Sequence, residues 1–387
     1  MKQKKLLLLG GLRYLIPVIK AAHELGIYVI TCDYLPNSIA HKYSDEYHNV
    51  NITDKEAVFR LARELRIDGI MSFAVDPGVV TAAYVADKLG IPTCPYESVL
   101  ILQNKALFRQ FLAKHNFFVP TAKGFMNETV SEDDLSQFHF PVIVKPVDSA
   151  GSKGVTKVES KEELEHAISK ALSNSFSGQF IIEDFIEQKG FSSDTDSFSV
   201  NGEMKFYSFS NQCFDKNAKN PYTPSAVSWP STISDKNQDI LKSELQRLID
   251  LLNLGTSIYN IEVREGMDGK AYIMEMSPRG GGNRLSEMVK YATGVDLITN
   301  AVKAAVGIDS LDVTQRPYNG HWAIIILHAN MNGCFIRVDI DINKKHIIEL
   351  DLWVKPGDRV SKFIAASAAI GTLIVQFENQ EQLEKMM

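Results

Sequence analysis

A chain of 387 residues exceeds what a single hydrophobic core organises, so two or three domains are expected. Its 45% hydrophobic and 23% charged residues are those of an ordinary soluble globular protein, and a net charge of −6 argues against the basic field of a nucleic-acid binder. Four scattered cysteines without a C-x-x-C pair (Cys32, Cys94, Cys213, Cys334) argue against a zinc site or disulfide framework and for a reducing, cytoplasmic setting.

The opening Met1-Lys-Gln-Lys-Lys-Leu-Leu-Leu-Leu superficially has the charge pattern of a signal peptide, but its apolar run is short and Gly10-Gly11 ends it. A buried strand is expected instead, and no stretch approaches the roughly 18 apolar residues of a membrane span. Strand Leu6–Leu9, helix Leu12–Leu25 and strand Ile27–Cys32 come first. Thr53-Asp-Lys-Glu56 has the form of a capping box opening a helix through Leu65. Strand Gly69–Phe73 and a helix near Val79–Leu89 follow. This βαβ series implies a parallel, doubly wound sheet. Gly10-Gly11 lacks the G-x-G-x-x-G spacing of a dinucleotide loop. Asp76 is placed either to touch a ligand or to cap the next helix.

From about Thr121 to Glu187 a smaller unit is expected: strand Pro141–Lys145, a glycine loop, strand Val155–Val158, a helix from the Ser160-x-x-Glu163 box through Leu172, and strand Phe180–Glu183. The loop Asp148-Ser-Ala-Gly-Ser-Lys-Gly154 leads into a strand, not a helix, so it is no Walker A loop. Ser149, Ala150, Gly151 and Ser152 are small enough for backbone N–H groups to fold over phosphates. The turn-rich segment Asn211–Pro230 is read either as a loop over the acceptor site or as a surface connection with no role, and Leu241, Leu245, Leu248 and Leu252 as the core stripe of a helix over Asp239–Leu252. Strands His321–His328, Phe335–Ile342 and His346–Trp353 close the chain, with their histidines as strand or surface residues rather than ligands.

The run Ser257–Arg264 alternates Tyr259, Ile261 and Val263 with Asn260, Glu262 and Arg264, and Lys270–Arg279 follows after Asp268-Gly269, a two-residue turn signal. That turn puts Glu262 directly opposite Glu275 and Asn260 opposite Ser277. Like charges so placed repel, and a divalent cation with oxygen ligands is the obvious compensation. Ser277 and Arg279 share the face of Glu275, beside Gly280-Gly-Gly282. Acid, metal, arginine and a flexible loop suit phosphoryl transfer.

Glu275-x-Ser277-Pro-Arg279-Gly-Gly resembles the E-x-N-P-R-x-G-G signature of the ATP-grasp superfamily, with Ser277 in place of its Asn. Val144-Lys145-Pro146 and the loop after it are similar to that family's flap. The resemblance is to carboxylate–amine ligases of the carbamoyl-phosphate-synthetase, biotin-carboxylase and phosphoribosylglycinamide-synthetase kind. It implies an α/β chain of three parts: an N-terminal Rossmann-like domain at 1–98, an ATP-grasp module at 99–307 with its flap lobe about 121–187, and a β-rich C-terminal domain at 308–387. It implies ATP and Mg2+ (or Mn2+), held by Lys105, Lys145, Ser149, Gly151 and Ser152 at the phosphates and by Glu262, Glu275 and Ser277 at the metal; the register, not the resemblance, offers Asn260 as the source of the amide oxygen the family takes from its Asn. Glu183 and the backbone of Phe185 and Ile186 would bind adenine. Gly190 stands where the family often has a ribose-binding Glu, leaving Glu187 as a substitute. Arg279 would stabilise the moving group, and Arg264 and Arg284 would grip the substrate carboxylate. The expected activity joins a small carboxylate, through an acyl phosphate with ADP formed, to an amine. The alternatives are carbamate or bicarbonate phosphorylation, or a nucleotide-binding protein without catalysis. No nucleic acid or membrane partner is expected, and a second copy of the chain is the one macromolecular candidate.

Overall fold

The computed structural model describes residues 3–126, 128–215, 223–364 and 368–386. Its first unit is a parallel sheet of β1 (Lys5–Leu9), β2 (Tyr28–Cys32), β3 (Glu46–His48) and β4 (Gly69–Ser72) in the order β3-β2-β1-β4. Helix α1 (Ile16–Glu24) connects β1 to β2, α2 (Lys55–Leu65) connects β3 to β4, and α3 (Val79–Leu89) follows β4. Leu6–Leu9 are fully buried, as a continuous apolar run covered on both faces must be. The α2 cap is Asp54, which accepts from the Ala57 N–H at 3.0 Å, while Thr53 turns back to Asn51. The cap is therefore Asp54 rather than Thr53, and the expected capping box does not form, Glu56 meeting Tyr84 instead.

Next come α4 (Tyr96–Gln103) and α5 (Lys105–Lys114), the latter capped by Asn104, which accepts from Ala106 and Leu107 N–H. An antiparallel sheet β5-β8-β6-β7 then forms from β5 (Ala122–Phe125), β6 (Val142–Pro146), β7 (Thr156–Val158) and β8 (Phe180–Asp184). The short α6 (Glu132–Leu135) and α7 (Leu164–Leu172) accompany it. At the start of α7, Ser160 makes no side-chain cap; Glu163 reaches back to the Glu159 N–H at 3.0 Å.

Strands β9 (Ser193–Val200) and β10 (Glu203–Phe206) join the hairpin that carries the site, and β11 (Asn211–Phe214) and β12 (Pro224–Trp229) pair with each other. The described residues of Asn211–Pro230, expected as a loop, are thus mostly strand; residues 216–222 lie outside the described ones. Helix α8 (Asp235–Leu251) buries Leu241, Leu245 and Leu248 as expected. Strands β13 (Ser257–Glu265) and β14 (Ala271–Ser277) follow, then α9 (Leu285–Thr293) and α10 (Leu297–Ala305). Buried residues of α10 join the core of the first sheet. The C-terminal part contributes β15 (His321–His328), β16 (Gly333–Cys334), β17 (Ile347–Leu352), β18 (Arg359–Val360), β19 (Ala369–Phe377) and α11 (Gln380–Glu384). Phe335–Ile342 forms no strand, and the main sheet here runs β11-β12-β15-β19-β17. Because β12 pairs with β15, this sheet draws strands from both 99–307 and 308–387.

The site-bearing sheet has the order β10-β9-β13-β14. Its hairpin reaches the expected register at Asn260↔Ser277 and Glu262↔Glu275 by a different route. Gly266 N–H donates to Lys270 O at 2.9 Å, so the loop has three residues, Met267–Gly269, with Gly269 at φ +76°. That geometry is the three-residue hairpin ending in a left-handed residue, and it shifts the ladder by one. Val263↔Ile273 and Arg264↔Tyr272 follow the shifted ladder, and a β-bulge at Met274 then restores the pairing of Glu262 with Glu275.

After the hairpin, Gly280 packs its backbone on the first unit: its O accepts from Ala74 N–H at 2.9 Å, and an added Cβ would lie 2.2 Å from the Phe73 ring. Gly280→Ala must displace that ring or the loop. A loss of about 1–3 kcal/mol is expected, read as a lower urea midpoint; an unchanged midpoint would show that the loop yields freely.

Candidate active site

The floor of the site is the face of β9, β13 and β14. Asp194 pairs with Glu262 and Asp196 with Asn260, so one row runs Asp194–Glu262–Glu275 and the next Asp196–Asn260–Ser277. Three carboxylates in one row repel, and cations placed around them lower that cost. Glu262 pairs with Arg264 Nη2 at 2.9 Å, while Glu275 lies 3.4 Å from Lys105 Nζ and 4.0 Å from Lys145 Nζ. Burial pushes the Glu275 carboxyl up, but Lys105, Lys145 and Arg109 outweigh it and hold it below its ordinary value.

Lys105 opens α5 and donates to Ser149 O in the glycine loop at 3.1 Å. Lys145, at the end of β6, is 2.7 Å from Glu183 Oε1, and Arg109 Nε donates to Glu183 Oε2 at 3.0 Å. Burial alone would push the Glu183 carboxyl up, yet Arg109 and Lys145 bring it down to about 2. Both of its oxygens are occupied and the residue is 3% exposed, so Glu183 has no free edge for a base. Where an adenine contact is expected of Glu183, the structure shows its carboxylate set between Arg109 and Lys145. Phe185 N–H donates to Pro141 O at 3.0 Å, which removes that donor from the expected adenine contact as well. Ile186 is half-buried beside it and Glu187 is exposed. In the loop, Gly151 and Ser152 have φ of +65° and +57°, consecutive left-handed residues that turn the backbone sharply.

Asn260 Nδ2 donates to Asp194 Oδ1 at 2.8 Å and Asp196 Oδ1 at 3.3 Å, and its Oδ1 accepts from Arg279 Nη1 at 3.0 Å. Two acceptors on one side and a guanidinium on the other settle which way the amide points. Its oxygen, expected at a metal, here accepts from Arg279. Burial and the neighbouring Glu262 push Asp194 up to about 7. Burial pushes Asp196 up to about 6 despite hydrogen bonds from Ser286 and the Gly281 N–H. Arg279 also reaches Asp76 through Nε at 2.8 Å and Nη2 at 2.7 Å, so Asp76 is no helix cap but the partner that aims this arginine. Ser277 Oγ accepts from Gln103 Nε2 at 2.9 Å.

Two expected residues face elsewhere. Arg264 is occupied by Glu262, and its Nε is buried without a hydrogen-bond partner among the described residues. Arg284 makes a bidentate pair with Glu349 on β17 at 2.8 and 3.0 Å and bonds Glu287 and Thr372, so it ties α9 to the C-terminal sheet. Where carboxylate grips are expected, both guanidinium groups are paired with acids of this chain. Sequence reasoning missed Asp194 and Asp196, whose strand Ser193–Val200 is polar at nearly every position and shows no apolar alternation. It also missed Arg109; the signal available was its place four residues after Lys105.

Among the described residues, no three His, Cys, Asp or Glu side chains come together as a metal cage. Two carboxylates in register, facing lysines suited to phosphates, fit a hard cation such as Mg2+ that takes its remaining oxygens from phosphates and water. Among the described residues no helix is long and apolar enough to cross a membrane.

Comparison with known proteins places this geometry. The model of the ATP-grasp domain matches residues 138–287. Formate-dependent phosphoribosylglycinamide formyltransferase of Bacteroides thetaiotaomicron is 31% identical over 189 residues, 48% of each protein. The enzyme of the same name from Prochlorococcus marinus subsp. pastoris is 28% identical over 71% of this chain and 70% of its own. In the first of these matches the chain spans about half the length of its curated relative. L-amino acid ligase from Bacillus licheniformis shares the fold at a TM-score of 0.80 and 20% identity, over 100% of this chain and 96% of that one. Phosphoribosylglycinamide synthetase from Anaerococcus prevotii gives 0.76 and 22%, over 99% and 96%. Glu262, Glu275, the glycine loop with Lys145, and Arg279 thus lie within residues 138–287, the part of this chain that matches the ATP-grasp domain, and Lys105 reaches them from just before it.

Proposed function

We propose that this protein is an ATP-dependent ligase that activates a small carboxylate as an acyl phosphate and joins it to an amine in the cytoplasm. The observation that carries the reading is the approach of Lys105 and Lys145 to Glu275, which itself faces Glu262 across the hairpin. Phosphate-binding cations and metal-binding carboxylates then meet at one point. Names of the related enzymes support it: a formyltransferase that depends on formate and a ligase of amino acids both handle carboxylates.

On this reading residues 1–98 and 308–387 flank the nucleotide module at 99–307 and help shape the acceptor site. Lys105 and Lys145 hold the triphosphate, exchanging contacts with Ser149 O and Glu275 for phosphate oxygens. Glu262 and Glu275 hold Mg2+, which when bound neutralises charge on the phosphates. The N–H groups of Ser149, Gly151 and Ser152 cover the triphosphate and keep water away. A carboxylate oxygen attacks the γ-phosphorus and ADP leaves; the amine attacks the acyl carbon, phosphate leaves and the amine nitrogen loses a proton. Arg279, aimed by Asp76 and Asn260, stabilises charge on the moving phosphoryl or acyl group.

The reaction is tested by product analysis across panels of carboxylates and amines. Release of ADP should require the cognate carboxylate and accelerate with the amine. AMP and pyrophosphate would instead indicate adenylate chemistry and end this reading.

Substitution tests the site. Glu275→Gln should lower turnover by at least about 10² and Arg279→Met by about 10²–10³, by analogy with loss of a single electrostatic donor. The urea midpoint of Glu275→Gln should stay close to the parent, because the lost contacts to Lys105 and Lys145 are offset by relief of the cross-strand repulsion with Glu262. Full activity in Glu275→Gln would remove it from the site.

Metal binding supplies a third check. With two protein carboxylates only, Mn2+ should bind weakly alone and at least about tenfold more tightly with ADP, by isothermal titration. Equal affinity with and without ADP would mean the protein supplies the site by itself.

A further inference from the structure

Arg109 lies on α5, one helical turn beyond Lys105 and on the same face. It is 2% exposed and uses two donors on two different elements. Nε donates to Glu183 Oε2 at 3.0 Å, and Nη1 donates to the Met274 carbonyl at 2.8 Å. Glu183 passes the contact on, its other oxygen lying 2.7 Å from Lys145 Nζ. Met274 is the bulge residue, and Glu275 is the next in the chain. A single helix thus presents Lys105 to the side chain of Glu275 and Arg109 to the backbone beside it.

We propose that Arg109 is a positioning residue that couples nucleotide and metal sites, fixing Lys145 through Glu183 and Glu275 through the Met274 bulge. This rests on the ligase reading above. Nη2 of Arg109 is buried with no hydrogen-bond partner among the described residues. Its planar fork serves two acceptors that belong to two halves of the site. A lysine could neutralise Glu183 but, as a compact point charge, could not reproduce the fork that spans Glu183 and the Met274 carbonyl.

The test compares the full chain with Arg109→Lys and Glu183→Gln, following Mn2+ and ADP binding by titration alongside turnover and urea unfolding. In folded Arg109→Lys, Mn2+ affinity in the ADP complex should fall about 10–100-fold, the range found when a partner orienting a metal ligand is lost. Turnover should fall by about 10², as for a displacement near 1 Å, while KM for ATP moves by less. Glu183→Gln severs the chain at its middle and should chiefly weaken ADP binding, by at least about tenfold. A folded Arg109→Lys with the parent's Mn2+ affinity and turnover, or changed only in urea midpoint, overturns the proposal. If Arg109→Lys does not fold, parental ADP affinity in Glu183→Gln overturns it. Absence of ADP-dependent Mn2+ binding in the unsubstituted protein overturns the ligase reading together with the inference.

Discussion

The buried carboxylate of Glu183 between Arg109 and Lys145 is the interaction on which the rest of the site depends. Two cations and one anion have been withdrawn from water, which is costly unless each is paired in good geometry. Removing a partner from such a group typically costs about 3–5 kcal/mol, because it leaves a charge stranded. The three residues come from α5, β6 and β8, so the pairing locks the helix to the glycine-loop sheet. Through the Met274 carbonyl the same lock reaches the hairpin.

A second constraint is the crowding of acids on β9, β13 and β14. Asp194, Glu262 and Glu275 occupy one row, and the structure answers their repulsion in three ways. Glu262 is paired with Arg264, Glu275 faces two lysines, and Asp194 is pushed up to about 7 by burial and Glu262. Asn260 bridges the acids to Arg279, which Asp76 holds from the first unit. The β-bulge matters here because it decides that Glu275, and not Met274, stands opposite Glu262.

The first parallel sheet, the helix stripe at Leu241–Leu248 and the glutamate pair were legible in the chain because each depends on short periodicities or short loops. The pairing of Glu262 with Glu275 was legible for a partly fortuitous reason: a loop one residue longer than expected is offset by a bulge of one residue. The Asn211–Pro230 segment was misread because its prolines and asparagines flank two strands that become ordered only by pairing with each other and with β15. Strand β9 was invisible for a related reason, being polar on both faces and stabilised by neighbours distant in sequence.

Local pattern therefore determined the identity of the acids, lysines and glycines and the fold class they imply, since those follow from residue type and spacing. Tertiary structure alone decided what each side chain touches. Glu183, expected at the base, meets Arg109, 74 positions away, and Lys145 on its other oxygen. Arg284, taken for a substrate grip, meets Glu349, 65 positions away. A charged side chain's role is set by which opposite charge is buried with it. That partner comes from an element whose position is fixed by packing of the whole chain, which no short window of sequence records.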